Sequence, residues 1–183
     1  MKLNNMNNQN LSYVIRRLKE SDISVIVEAF IHSNWTLKPK ELFEKYLLEQ
    51  QNNKRIVFVA FDNEKFAGYV TLVWKSQYSF FYENHIPEIM DLNVLPIFRK
   101  KGIGTNLLLQ AEIAAKEESP VVGLGVGLYA GIDGGYGAAQ QLYVKMGYVP
   151  DGKGITYHYK YVLPGNSFIL DDDLVLWFIK SLE

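Results

Sequence analysis

Apolar and polar positions recur along this chain with two different periods, and the switches between them divide it into strands and helices. Residues 13–16 (Tyr-Val-Ile-Arg) read as a first strand, and after the candidate caps Ser21 and Asp22 the positions Ile23, Ile26, Val27 and Phe30 fall on one helical face. A second helix is predicted to begin near Pro39, a residue suited to the first helical turn, with Leu42, Phe43, Tyr46 and Leu47 along it. The apolar runs 56–61 and 66–74 flank the polar segment Asp62-Asn63-Glu64-Lys65 and predict a hairpin. Residues 75–87 have no clean period but are dense in Tyr78, Phe80, Phe81 and Tyr82, which suits a packed excursion or one wall of a pocket. A short β-rich run at 89–94 gives way after Pro96 to a helical pattern, with Ile103, Leu107, Leu108, Ala111 and Ala114 aligned. Residues 121–128 predict another strand. The Gly-rich loop 131–137 then leads into a helix carrying Ala138, Leu142 and Met146, stopped at Gly147. Two last strands, 155–162 and 174–179, are separated by Pro164-Gly165-Asn166. The sum is one α/β domain over residues 13–183, a mixed sheet with helices packed on it, preceded by an Asn-rich flexible tail at 1–12.

Composition narrows the function classes. At 183 residues the chain is long enough to bury a real core but too short for two full domains. A formal net charge of -1 supplies no broad pull toward nucleic acid or an anionic membrane, so neither is an expected partner. Cysteine is absent, which excludes a thiol nucleophile, a structural disulfide and a cysteine-ligated zinc. His32, His85 and His158 are too few for a histidine metal cluster, and no metal is expected. No apolar run has the length of a signal peptide core or a membrane span, and the expected location is the cytoplasm.

The most informative segment is Val94-Leu95-Pro96-Ile97-Phe98-Arg99-Lys100-Lys101-Gly102-Ile103-Gly104-Thr105. A helix N-terminus presents main-chain N–H groups without internal partners and the positive end of the helix dipole, so an anion placed there gains both hydrogen bonds and charge. Gly102 and Gly104 leave room for close approach, and Arg99, Lys100 and Lys101 add positive charge at the mouth. A solvated basic turn ahead of a helix would look the same from spacing alone. Neither a P-loop nor a dinucleotide fingerprint fits: no Gly-Lys-Ser or Gly-Lys-Thr occurs, and Gly123, Gly125 and Gly127 lie inside an apolar strand-like run.

The order strand, Val-x-x-x-x-Arg-x-x-Gly-x-Gly, amphipathic helix, strand, and a helix ending Leu-Tyr-x-x-x-Gly-Tyr resembles the GNAT superfamily of acyl-CoA-dependent N-acyltransferases, over roughly residues 13–159 and most specifically 88–148. The resemblance implies an α+β domain with a mixed, mostly antiparallel sheet of about seven strands and about four helices. It implies that Arg99, Lys100, Lys101, Gly102, Ile103, Gly104 and Thr105 hold the pyrophosphate of the co-substrate acetyl-CoA. It further implies a bulged preceding strand that bonds the pantetheine arm through the backbone of Leu92, Asn93 and Val94. Where the family often has an asparagine seven residues before its tyrosine, this chain has Tyr136, which removes that side-chain contact.

N-acyl transfer needs a neutral amine, polarisation of the thioester carbonyl and a proton for the departing thiolate. By its match to the family tyrosine, Tyr143 is implied as the acid; a core tyrosine is the plain alternative. Glu88 stands where some members carry the base, with Asp91 as its rival and His85 as a third candidate. Strand side chains alternate, so positions 88 and 91 point to opposite sides unless a bulge intervenes, and one of the two is expected to reach the pocket. An acceptor cleft in this fold nominates Trp35, Tyr78, Phe81, Tyr82 and Tyr157, aromatics that suit a cationic amine, either a small molecule or a peptide N-terminus. A non-catalytic acyl-CoA-binding module is the competing reading. Exposed strand edges leave a homodimer open.

Overall fold

A computed structural model describes residues 13–33, 38–130 and 135–183. The expected tail at 1–12, Trp35 and most of the Gly-rich loop lie outside these residues. Eight strands form one sheet: β1 (Tyr13–Arg17), β2 (Arg55–Asp62), β3 (Lys65–Val73), β4 (Glu88–Val94), β5 (Val121–Gly127), β6 (Val149–Tyr157), β7 (Lys160–Tyr161) and β8 (Leu174–Ser181), in the order β1-β2-β3-β4-β5-β8-β6-β7. The α-helices are α1 (Ile23–His32), α2 (Lys40–Gln51), α3 (Ser79–Glu83), α4 (Ile103–Lys116) and α5 (Gly137–Lys145). All neighbouring strands pair antiparallel except β4 and β5, so the sheet is mixed and mostly antiparallel. Among the described residues no helix is long and apolar enough to cross a membrane.

The sheet holds one strand more than the periodicity predicts, and one further helix is present. The expected strand 155–162 is a hairpin, β6 and β7, turning at His158 and Tyr159 with φ of 48° and 63°. Asn and Gly are the residues that normally announce such a turn, and neither is there. The extra helix, α3, spans five residues, too few for a period to show. Burial holds it in place: Phe81 and the preceding Tyr78 are wholly enclosed, and Tyr78 stacks on Trp177 at 4.2 Å and 8°.

The two faces of the sheet are covered by different helices. Tyr69 of β3 meets Phe30 of α1 and Phe43 of α2 at 6.2 and 5.3 Å between ring centroids. Its neighbour Gly68 points the other way, onto Val94, whose methyl in turn lies against Gly104 of α4. The glycines of β5 are explained by this packing. Cβ atoms at Gly123 and Gly127 would run into the rings of Phe81 and Tyr136, and one at Gly125 would lie 2.7 Å from Val175 Cγ1 and 2.9 Å from Trp177 Cζ3. Gly125→Ala is therefore expected to destabilise by about 1–3 kcal/mol through overpacking, because Trp177 is pinned by Tyr78 and cannot yield. Thermal unfolding checks it: a melting temperature equal to that of the parent would contradict the packing described.

Candidate active site

Strand β4 is the axis of the site. Its parallel pairing with β5 is confined to Glu88 with Gly123 and Ile89 with Leu124; beyond these two pairs the strands share no register. On the other side, Thr71 of β3 pairs with Met90 and Tyr69 with Asn93, so Val70 of β3 lies opposite two residues of β4, Asp91 and Leu92. The extra residue makes a bulge at Asp91, which carries a φ of 53°. From Met90 to Val94 the β5-facing edge of β4 consequently has no β5 partner, while on the other edge Asn93 and Val94 stay in register with β3 and the Val94 carbonyl accepts from Arg99.

Beyond β4 the chain makes a 3-10 turn at Pro96–Phe98 and enters α4 through Gly102, which has a φ of 79° and makes no side-chain cap. The first helical hydrogen bond runs from the Asn106 N–H to the Gly102 carbonyl at 3.0 Å, so the amides of Ile103, Gly104 and Thr105 precede the ladder. A Cβ at Gly102 would find only the Tyr13 hydroxyl nearby, at 3.7 Å. That hydroxyl accepts a hydrogen bond from Asn106 Nδ2 and ties β1 to the first turn of α4. Of the three basic residues, Arg99 donates from Nε to the Val94 carbonyl at 3.1 Å. Lys100 is exposed, with φ of 60°. Lys101 lies 3.6 Å from Asp62 and over the Phe98 ring, so part of its charge is already balanced.

Both candidate bases lie on the face covered by α2. The Tyr46 hydroxyl of α2 donates to Asp91 Oδ2 at 2.5 Å. Arg55 lies over the Tyr46 ring at 4.3 Å and donates to Glu49 and Thr71, each at 2.6 Å. Glu88 is 3% exposed and accepts a hydrogen bond from the Ser76 hydroxyl at 2.5 Å. Burial pushes its carboxyl up to about 7; Asp91 adds to the rise, and the Ser76 hydroxyl and Arg55 charge oppose it. The bulge has cancelled the alternation expected of positions 88 and 91, and the Asp91 charge bears on Glu88. Tyr143 of α5 is buried, and that burial, with the Asp91 charge second, pushes its phenol up to about 12. It is therefore a proton donor throughout the physiological range.

A profile of the acetyltransferase (GNAT) family matches residues 21–148. The chain belongs to the GNAT acetyltransferase family. No curated protein matches it in sequence. Among solved structures, the fold is similar to an N-acetyltransferase from Staphylococcus aureus Mu50, with TM-score 0.67, 18% identity, and 93% of this chain and 99% of that chain covered. It is also similar to a ribosomal-protein-alanine N-acetyltransferase from Brucella melitensis, with TM-score 0.64, 20% identity, and 92% and 99% covered. A third is the spermidine N-acetyltransferase from Vibrio cholerae, solved with CoA and spermine, with TM-score 0.62, 17% identity, and 93% and 96% covered.

Within this GNAT fold the aromatic residues expected to line an acceptor cleft are scattered. Tyr78 is wholly buried and its hydroxyl donates to Asp151 at 2.8 Å, so it forms part of a second core rather than a free wall. Phe81 is equally enclosed beneath it. Tyr82 is 57% exposed on the far side of α3. Tyr157 is half-buried and bonded to Asp171 at 3.1 Å, and Trp35 lies outside the described residues. Tyr159 of the β6–β7 turn, not among those expected, lies within electrostatic reach of Glu88 and Asp91. It packs on Trp177 at 5.9 Å, and burial, followed by the charge of Glu88, raises its pKa. Tyr136 covers Gly127 and donates to Asp172 at 3.0 Å. Tyr46, Arg55 and Ser76 are also new to the site. Tyr46 reads in the sequence as one more apolar helix position, and Ser76 sits in the stretch without a period, so neither carries a signal of its own.

Proposed function

We propose that this protein transfers an acetyl group from acetyl-CoA to a primary amine by direct attack, with Glu88 as base and Tyr143 as acid. The observation that carries the reading is the uncapped N-terminus of α4, opening beside the free edge of β4. The amides of Ile103, Gly104 and Thr105 suit a diphosphate, helped by Arg99 and Lys100, and the edge at Leu92, Asn93 and Val94 suits the amides of a pantetheine arm. When bound, the donor supplies an activated thioester. Glu88 accepts a proton from the acceptor ammonium, making the free amine; the nitrogen bonds to the thioester carbonyl carbon, and as the C–S bond breaks Tyr143 gives its proton to the departing sulfur, the second proton lost by the nitrogen restoring the phenol. No covalent bond to the protein is needed.

The acceptor enters over Glu88 and Asp91, next to the half-buried Tyr159. Among the described residues the cation that acts on Glu88 is Arg55, already bonded to Glu49, so the surroundings are net negative and favour an acceptor that arrives as an ammonium ion. Small polyamines and peptide N-termini both meet that description. The test is an acceptor panel at saturating acetyl-CoA with free thiol followed. Release that depends on an amine supports the enzyme; donor binding without release for any amine supports a binding module instead.

Tyr143→Phe separates acid catalysis from donor binding. Turnover is expected to fall by about 10²–10⁴-fold with CoA affinity within about twofold of the parent. Full turnover in this variant would clear Tyr143 of the role.

A further inference from the structure

Asp91 is an unusual residue to find at a positive φ in the middle of a strand. Left-handed backbone is costly for a residue with a side chain, and it persists only where the surroundings hold it. Three contacts hold it here. The Tyr46 hydroxyl donates to its carboxylate at 2.5 Å, Asn93 Nδ2 donates to its carbonyl at 3.0 Å, and the Thr71 hydroxyl, itself bonded to Arg55, donates to the neighbouring Met90 carbonyl at 3.4 Å. Helix α2 supplies both Tyr46 and Glu49, one turn apart, and Glu49 bonds Arg55 at 2.6 Å. The bulge is thus fastened from the α2 side at two points.

We propose that Asp91 is a positioning residue and not a base: with Tyr46 it forms a lock by which α2 fixes the β4 bulge, and so sets where the β5-facing edge from Leu92 to Val94 lies. The proposal rests on the donor assignment above. It makes α2, which faces the acceptor side, a mechanical partner of the donor edge. Asp91 and Glu88 each have one oxygen engaged by a hydroxyl at 2.5 Å, from Tyr46 and Ser76; what separates them is the backbone, since Asp91 is the bulged residue itself whereas Glu88 lies in regular pairing with Val73 and Gly123. The lock also explains the residue type. Asp and Asn tolerate left-handed backbone better than other side chains and also present an oxygen to a hydroxyl donor.

The experiment compares Y46F, D91A and D91N with the parent by hydrogen exchange in the free protein, CoA titration and the pH profile of turnover. Y46F keeps the ring that Arg55 covers and removes only the hydroxyl. It is expected to speed exchange of the amides of residues 92–94 by about tenfold, leave those of β2 unchanged, and weaken CoA by about tenfold. D91A is expected to do more, and D91N to recover most of the CoA affinity lost in D91A, with its acid limb still near that of the parent. Parental exchange and CoA affinity in Y46F would overturn the lock. So would D91N as poor as D91A with the acid limb gone, since the charge would then be what matters. Failure of the parent to bind CoA would strike the donor assignment instead, and is told apart because exchange in the free protein reports the lock without any ligand.

Discussion

Gly102→Asp is expected to abolish CoA binding, with affinity lower by at least about 100-fold, roughly 2.7 kcal/mol. Two effects act together. Gly102 holds a φ of 79°, which strains any added side chain, and its Cβ would meet the Tyr13 hydroxyl at ordinary contact, 3.7 Å, so the side chain stands at the mouth of the helix N-terminus. Its carboxylate then takes the place prepared for the donor's diphosphate and is itself stabilised by the same dipole and amides. Asp tolerates left-handed backbone better than most side chains, so the fold is expected to survive, and circular dichroism establishes that. Gly102→Asn, which tolerates the same backbone without the charge, is the control and is expected to weaken CoA far less. Calorimetric titration reads both. Parental affinity in G102D would remove the main reason for placing a diphosphate there.

Glu88→Gln is the second large effect. A carboxyl whose pKa is about 7 is mostly protonated at pH 6 and mostly ionised at pH 8, so turnover in the parent is expected to rise with pH and level off above about 7. The variant is expected to lose about 10²–10⁴-fold at pH 8 and to lose that acid limb. Stability moves with the opposite sign. The folded pKa lies above the ordinary value of 4.5, so the protonated form is the one the fold favours. The contribution is complete below about pH 4.5 and is lost as pH rises through 7, up to roughly 3 kcal/mol. E88Q carries no such ionisation, and relative to the parent it should gain stability over that window. Denaturation at pH 5 and pH 8 tests this without any substrate; an equal stability difference at both would mean that Glu88 is not the buried acid described.

The legible part of this protein was the part written in local sequence. Helical spacing located α4, Gly102 and Gly104 marked its entry, and Gly147, with φ of 89°, ended α5 where a glycine stop was expected. The β6–β7 turn was not legible, because His158 and Tyr159 adopt left-handed backbone that only their neighbours make tolerable. The acceptor side is hard to read for a different reason. Tyr78 looks like any other aromatic in an aperiodic stretch, and only the Trp177 ring brought up from β8, nearly one hundred residues away, turns it into core. The carboxylates show the same limit at closer range. Alternation sends positions 88 and 91 to opposite sides, and one inserted residue in β4 reverses the conclusion, yet nothing in Glu-Ile-Met-Asp-Leu announces a bulge. Long-range pairing decided each of these, and periodicity does not encode it.

The central claim is that main-chain amides at the start of α4 grip the donor. Amide chemical shifts during CoA titration test it directly. The largest changes are predicted at Gly102, Ile103, Gly104 and Thr105, with a second set at Leu92 to Val94, and both sets should vanish in G102D. Saturable CoA binding that leaves the amides of 102–105 unmoved would contradict the account.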